Sequence, residues 1–224
     1  MKKIALLFIL ITSLSFAQDK RTLALGDFNS IKVFTGLKIE LIQSSEQKIE
    51  ISGENQRNVI VNNKNGNLKI YIKLTESLRK YEFDIKLYTN RAIETIDVNE
   101  GASVFSDDTL NQLKITLKAQ EGAFIDVPLD VKYLAIKVVS GGNIHTKGKA
   151  KSQDVTVGQG GIYDAYSLET EQTKVVVATG GKAEVNVTDV LDASVRLGGN
   201  VYYKGNPDVK KSSKFIGGVI KFTN

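Results

Sequence analysis

Residues 136–145 read IKVVSGGNIH, and the same pattern returns as VTVGQGGIYD at residues 155–164 and as VVVATGGKAE at residues 175–184. In each stretch, aliphatic residues alternate with other residues on both sides of a glycine pair. Alternation with a period of two indicates a strand that buries one face. The unit that decides the fold is therefore a strand, a pair of small residues and a second strand.

This unit recurs through the second half of the chain. The first glycine of each pair stands at positions 101, 122, 141, 160, 180, 198 and 217, with steps of 21, 19, 19, 20, 18 and 19 residues. The last unit departs from the pattern, because Ser212 and Lys214 replace its aliphatic residues. That departure is expected of a terminal repeat whose outer side meets water. Three residues before the first six glycines lie Val98, Ala119, Val138, Val157, Val177 and Val195.

Two architectures contain such a repeat. In a solenoid each unit is one coil stacked on the next, and in a meander each small pair is a hairpin turn. A two-residue hairpin would place the residue three before the first glycine opposite the residue four after it. The residues four after are mostly polar, whereas those three after are apolar, so this parity favours the solenoid. A three-residue loop is not excluded by the same test.

The small pairs themselves have two interpretations. A stacked column of Gly or Ala permits a sharp corner, or a close approach of neighbouring coils, where a Cβ would clash. The alternative is an anion-binding nest of backbone N–H groups, although no GxGxxG or Walker pattern accompanies the glycines. We favour the corner.

The chain divides into three predicted regions. Residues 1–17 predict a signal peptide, since Lys2 and Lys3 precede an apolar run too short to span a bilayer and a small residue, Ala17, stands at the expected cleavage site. Residues 18–90 predict an N-terminal β-rich cap, with a hairpin signal at Asn65-Gly66. Residues 91–224 are the predicted solenoid. We therefore expect an exported protein of the periplasm, cell surface or medium, without an integral membrane segment after cleavage.

Composition narrows the classes of function. The chain carries 30 Lys and Arg, 25 Asp and Glu, one His and no Cys, for a net charge of +5. The lack of Cys excludes disulfides, thiolate metal sites and Cys nucleophiles, and a single His excludes two-His metal motifs. The basic residues are scattered, with Lys147, Lys149, Lys151 and Lys210-Lys211 as the densest clusters. This distribution argues against nucleic acid as a partner.

The motifs resemble those of an exported family of Bacteroidota, the auto-transporter adhesins with a head GIN domain. Its Ser-Gly-Ala-Gly-like motif is similar to Ser140-Gly141-Gly142, its opening to residues 28–33 (FNSIKV) and its Tyr-x-Gly-x-Pro ending to residues 203–207 (YKGNP). The resemblance covers nearly all of residues 21–224, and it implies a right-handed parallel β-helix and a role in adhesion. The motif serine is mostly replaced in this chain, which argues against chemistry at that position.

The residues four after each first glycine form a predicted outward column. If the coils stack in register, Asp126, His145, Asp164 and Glu184 line up at ~4.8 Å spacing. Their oxygen and nitrogen atoms suit a divalent cation, so these four are the candidate metal ligands, and no other cofactor is indicated. The alternative is a solvated ladder of charges in which His145 relieves the repulsion between carboxylates.

Aromatic residues are the second binding clue. Phe105 and Tyr202 fall in the outward column and Tyr166 lies nearby. Aromatic rings stack on sugars or anchor protein contacts, and these three are the candidate residues of a binding surface. The alternative is that they cover the ends and corners of coils.

Taken together, the patterns predict an exported, non-catalytic envelope protein, an adhesin or surface-binding module that makes many weak contacts along its repetitive face. Its partner would be a glycan or an envelope protein. Two alternatives stay open. One is a structural envelope component that self-associates through the solenoid ends. The other is a β-helix carbohydrate-active enzyme, for which Asp107-Asp108 and the pair Asp126 and Asp130 supply acids.

Overall fold

A computed structural model describes residues 20–73 and 82–223 of the chain. The predicted signal peptide, residues 1–17, lies outside these residues. Within them the chain forms no α-helix, and hence no helix that could cross a bilayer. A 3-10 turn occupies Gln56–Asn58. The strands are β1 (Lys20–Ala24), β2 (Ser30–Val33), β3 (Lys38–Gln43), β4 (Lys48–Ser52), β5 (Val59–Lys64), β6 (Asn67–Ile72), β7 (Asp84–Thr89), β8 (Thr95–Val98), β9 (Ser103–Phe105), β10 (Leu110–Ala119), β11 (Phe124–Val138), β12 (Asn143–Val157), β13 (Ile162–Ala178), β14 (Lys182–Arg196), β15 (Asn200–Lys204), β16 (Val209–Phe215) and β17 (Val219–Phe222).

The strands build a β-solenoid of about 7 turns, each turn on the one before. Strand β11 pairs in parallel with β12, β12 with β13 and β13 with β14. A strand of 15 residues, as in β11 and β12, and the corner that follows it make one coil, so the spacing of the glycine pairs is the length of a coil. The solenoid prediction is confirmed. The meander is wrong, because the strands that flank a corner pair with neighbouring coils.

A continuous row of small aliphatic side chains runs through the interior. Val138 pairs with Val157, and Val157 pairs with Val177, and none of the three is more than 1% exposed. Burying one such side chain contributes roughly 1.5 kcal/mol or more, so the row is a main source of stability. The same row continues to both sides through Val33, Val98, Ala119 and Val195.

The N-terminal strands enter this stack out of sequence order. Strand β2 pairs in parallel with both β6 and β8, and β3 pairs in parallel with both β7 and β9. The coil made of β2 and β3 therefore lies between β6 and β7 on one side and β8 and β9 on the other, and all four strands follow it in the chain. Its corner at Thr35-Gly36 stacks on the next corner through a hydrogen bond of 2.9 Å from the Gly36 N–H to the Glu100 carbonyl.

Antiparallel pairs among the described strands lie at the N-terminal end of the stack. They join β1 to β4, β4 to β7 and β5 to β6. The β5–β6 hairpin turns at Asn65-Gly66, as the sequence predicts, with φ of 52° and 79°. These reversed strands end the run of parallel coils, which is the role expected of a cap. The boundary between cap and solenoid near residue 90 stays a prediction. Strands β2 and β3, which precede that boundary, already form a coil.

Each corner is a two-residue turn placed one residue earlier than the glycine pair suggests. Ser140 and Gly141 have φ of 51° and 71°, and the Gly142 N–H donates to the Val139 carbonyl at 3.0 Å. Two positive φ values with this hydrogen bond are the pattern of a type I′ turn. Gly142 permits the close approach of neighbouring coils, because a Cβ there would lie 2.3 Å from the carbonyl oxygen of Ala119 in the preceding coil.

The anion-nest interpretation is disfavoured by the hydrogen bonds of the same corner. The Gly141 N–H donates to the carbonyl of Gln159 in the next coil at 3.1 Å, and the Gly142 N–H is used by the turn. Both N–H groups therefore have backbone acceptors within the stack. The first glycine serves the turn, and the second permits the close approach of coils.

Candidate binding surface

The outward column exists as predicted. Asp126 pairs with His145, His145 with Asp164 and Asp164 with Glu184, each on the neighbouring coil. The sequence therefore places these four side chains correctly on successive rungs of one face. The column continues on one side through Phe105, Glu40 and Lys86 and on the other through Tyr202 and Lys221.

Two short contacts engage carboxylates of the column. The His145 Nδ1 lies 2.7 Å from a carboxylate oxygen of Asp126, and the Lys182 Nζ lies 2.9 Å from a carboxylate oxygen of Glu184. Asp126 and Glu184 therefore each have a partner for one carboxylate oxygen.

Across residues 20–73 and 82–223, no three His, Asp or Glu groups are placed to hold one metal ion. The binding of a cation by Asp126, His145, Asp164 and Glu184 stays a prediction, as does the alternative of a solvated charge ladder.

The predicted aromatic residues fall into two groups. Phe105, which is 39% exposed, and the half-buried Tyr202 belong to the outward column. Tyr166 is engaged with the last coil instead, because its hydroxyl lies 3.2 Å from the hydroxyl of Thr223 and the Lys204 Nζ lies 4.5 Å from its ring centroid. Tyr166 thus covers a coil end, whereas Phe105 and Tyr202 face outward.

A second surface feature is a groove of about 460 Å³ in strands β10 to β13. Tyr133 stands at its edge and is 55% exposed. On neighbouring rungs Tyr133 is flanked by Lys114 and Ser152, and Ala135 is flanked by Asp154. The small side chains of Ala135 and Ser152 leave a depression between these larger residues.

The groove combines a flat apolar surface with hydrogen-bonding groups. The ring of Tyr133 supplies the apolar surface, and Lys114, Asp154, Gln172 and Lys174 supply ammonium, carboxylate and amide groups around it. A few polar groups arranged around an aromatic ring are typical of small-molecule sites, and the ring also offers a face on which a sugar can stack. This mixture suits a polyhydroxylated ligand better than a purely apolar one.

A buried polar network supports the groove from below. Gln153, which lies between Ser152 and Asp154 but points inward, accepts a hydrogen bond of 2.9 Å from the Tyr163 hydroxyl and donates one of 3.0 Å to Thr173. Burial raises the pKa of Tyr163 well above its ordinary value, so its hydroxyl stays protonated as a donor. Because these groups are hydrogen-bonded to one another, they hold the floor of the groove in one arrangement.

Comparison with known proteins agrees with this architecture. Solved structures with the same fold include a "putative adhesin" of Bacteroides fragilis, which is 22% identical with a TM-score of 0.86 over 93% of this chain and 98% of that chain. A "putative lipid binding protein" of Parabacteroides distasonis is 17% identical, with a TM-score of 0.69 over 94% and 98% of the two chains. A "putative adhesin" of Parabacteroides merdae is 18% identical, with a TM-score of 0.69 and the same coverage. None of the curated proteins compared matches the chain.

The sequence resemblance is borne out by a family model. This model is described as "Putative auto-transporter adhesin, head GIN domain", and it matches residues 27–207. The match spans most of the chain, including the N-terminal strands β2 to β7 and the coils up to β15. The chain therefore belongs to this family.

Proposed function

We propose that the protein is an exported, non-catalytic binding module of the cell envelope, and that it recognises a glycan at the Tyr133 groove. The observation that carries the proposal is the exposed Tyr133 ring beside a floor of small residues, with polar side chains on the neighbouring rungs. Export is supported by the charged and apolar pattern of residues 1–17.

The groove crosses successive coils, which suits a chain-like ligand. Lys114, Tyr133, Ser152 and Gln172 occupy four neighbouring rungs, and four rungs extend over ~14 Å. A short oligosaccharide fits this length, with one sugar ring stacked on Tyr133. Individual contacts of this kind are weak, so adhesion to a surface would depend on many copies of the protein engaging a repeated ligand.

Each of the two acid pairs that the sequence offers for catalysis has one member with a structural partner. A carboxylate oxygen of Asp108 accepts a hydrogen bond of 2.8 Å from the Gln43 N–H, and Asp126 is paired with His145. A general acid or base has to reach the substrate with a free proton position. These contacts favour binding without turnover over the carbohydrate-active enzyme.

A glycan array followed by calorimetry tests the proposal. We expect the wild-type protein to bind at least one glycan, and Tyr133→Ala to weaken that binding about tenfold, the ~1.5 kcal/mol that a ring contact contributes. Tyr133→Phe is the matched control, because it keeps the ring and should bind within about twofold of wild type. Equal binding by wild type and Tyr133→Ala would place the site elsewhere, and weakening by Phe105→Ala would move it to the outward column.

A further inference from the structure

The last coil differs from every coil below it in its charge. Strand β16 is exposed at all seven positions, and Ser212 and Lys214 stand where Ala193 and Val195 lie in the coil beneath. Residues 209–223 contain no Asp or Glu. This stretch therefore presents a positive edge, formed by Lys210, Lys211, Lys214 and Lys221, with the carboxylate of Asp192 opposite Lys211 on the neighbouring rung.

The same coil exposes large apolar side chains at its corner. Phe215 and Ile216 are 63% and 64% exposed, and Leu197, one rung below Ile216, is 53% exposed. The corner that contains Leu197 is joined to the corner that contains Ile216 by a hydrogen bond of 3.1 Å from the Gly198 N–H to the Ile216 carbonyl. At the same turn position, the earlier corners carry the polar residues Glu100, Glu121, Ser140, Gln159 and Thr179.

Folding does not explain why isoleucine stands at this corner. Ile216 has φ of 54°, a left-handed conformation that is unfavourable for a β-branched residue. Asn adopts this conformation more readily and would present a polar group to water. The choice of an exposed isoleucine therefore indicates a contact made outside the chain.

A second copy of the chain is a poor occupant of this surface. Two copies joined through their last coils would bring two sets of four lysines against each other. Lysines at an open sheet edge also oppose strand pairing between molecules. That protective role accounts for the lysines alone, but it gives no reason to expose Phe215, Ile216 and Leu197 beside them.

We propose that the last coil docks onto an anionic phospholipid surface. The ammonium groups of Lys210, Lys211 and Lys214 would meet the headgroup phosphates, while Phe215 and Ile216 enter the boundary between headgroups and acyl chains. Basic residues combined with exposed aromatic and aliphatic side chains are the arrangement by which proteins bind to the interface of a bilayer. The groove at Tyr133 is a separate surface, so this inference does not depend on glycan recognition.

Vesicle co-sedimentation tests the proposal. The protein would be produced from Gln18, which retains every described strand, and mixed with vesicles of phosphatidylcholine alone or with added phosphatidylglycerol. We expect binding to the anionic vesicles and its loss at high salt, because salt screens the attraction. Lys210→Gln/Lys211→Gln/Lys214→Gln should lower the partition coefficient by at least about tenfold. The matched control, Lys147→Gln/Lys149→Gln/Lys151→Gln, removes the same charge from a middle coil and should bind like wild type.

Ile216→Asn separates lipid binding from folding. This variant should lower vesicle binding several-fold while its thermal midpoint stays the same or rises, because Asn relieves the strained backbone. Equal vesicle binding by wild type and the last-coil triple variant would overturn the proposal, as would equal binding to neutral and anionic vesicles. A dimer in analytical ultracentrifugation that disappears in Ile216→Asn would also overturn it, in favour of a second copy on this surface.

Discussion

The Tyr163 hydroxyl donates a hydrogen bond of 2.9 Å to the side-chain oxygen of Gln153 across the interior of the solenoid. In neighbouring coils the position of Tyr163 is held by Ile144 and Ala183, so polar packing replaces apolar packing at one level of the stack. Coils with similar apolar rows could pair in a shifted arrangement. The hydrogen bonds around Tyr163 and Gln153 exist at one level of the stack only. A shifted pairing of coils would leave these polar groups buried without partners, which costs free energy.

Removing the Tyr163 hydroxyl should therefore cost stability. Tyr163→Phe keeps the ring but leaves the Gln153 oxygen without its donor, and an unsatisfied buried group costs about 1–3 kcal/mol. Urea denaturation of both proteins measures the difference in the free energy of unfolding. Tyr133→Phe is the matched control, because Tyr133 is exposed and should change this free energy by less than about 0.5 kcal/mol. If Tyr163→Phe were as stable as Tyr133→Phe, the structural role of the network would be contradicted.

The two glycines of one corner should respond differently to alanine. Gly142→Ala places a Cβ 2.3 Å from the Ala119 carbonyl oxygen, and we expect a loss of more than about 3 kcal/mol because neighbouring coils must separate. Gly141→Ala meets nothing within 4 Å and is penalised only for its φ of 71°, about 1–2 kcal/mol. Thermal unfolding of the two variants gives the order. A larger loss in Gly141→Ala would contradict the roles assigned to the pair.

The fold of the second half could be predicted because stacking repeats one steric demand on every coil. Each coil needs a turn, a close approach to its neighbour and an inward aliphatic side chain, so residues such as Gly141, Gly142 and Val138 recur at the coil length. The register of the outward column follows from the same count. That is why the adjacency of Asp126 and His145 could be read from the sequence.

The order in which the N-terminal strands stack is not indicated by a comparable sequence repeat. At the corner of residues 35–37, Leu37 takes the place of the second small residue and is buried there, so the glycine spacing does not extend to it. The insertion of β2 between β6 and β8 depends on pairing between segments far apart in the chain. Periodicity within a segment cannot reveal such pairing.

The groove and its supporting network could not be predicted from the sequence, although the faces of their residues could. Pairing of residues 133–138 with the next coil is regular, so counting back from the glycines at positions 141 and 160 places Tyr133 outward and Gln153 inward, as the structure has them. The count gives the side on which a residue lies, but it does not show that small residues such as Ala135 leave a depression beside the ring. It also does not show which polar groups reach one another in the interior, since those hydrogen bonds join residues of different coils.

Two neighbouring valines offer a test of the inward and outward faces. Val177 is buried in the interior row, whereas Val176 points outward between Thr156 and Ser194. Val177→Thr keeps the volume but buries a hydroxyl, and should cost about 1–3 kcal/mol. Val176→Thr makes the same chemical change one residue away and should cost less than about 0.5 kcal/mol. Chemical denaturation measures both, and similar losses would mean that the assigned parity is wrong.

The N-terminal strands should respond to acid through Glu50. Its carboxylate in β4 lies 2.8 Å from the Lys20 Nζ in β1 and accepts a hydrogen bond of 3.0 Å from the Tyr88 hydroxyl in β7. The Lys20 contact, with help from Tyr88, lowers the pKa of Glu50 below its ordinary value of 4.5, although desolvation opposes the change. A carboxyl group whose pKa is lower in the folded state stabilises the fold above the ordinary pKa, and this contribution is lost as pH falls through the folded pKa.

Glu50→Gln should therefore lower the thermal midpoint at neutral pH, and the difference from wild type should shrink as the pH falls below 4.5. Thermal unfolding of both proteins between pH 7 and strongly acidic pH measures this. Glu46→Gln is the control, since Glu46 contacts Lys48 at 2.8 Å but its side chain is 64% exposed, so solvent screens the pair and the midpoint should hardly change. A difference between wild type and Glu50→Gln that stays constant down to the lowest pH would show that the charge of Glu50 does not join β1 to the stack.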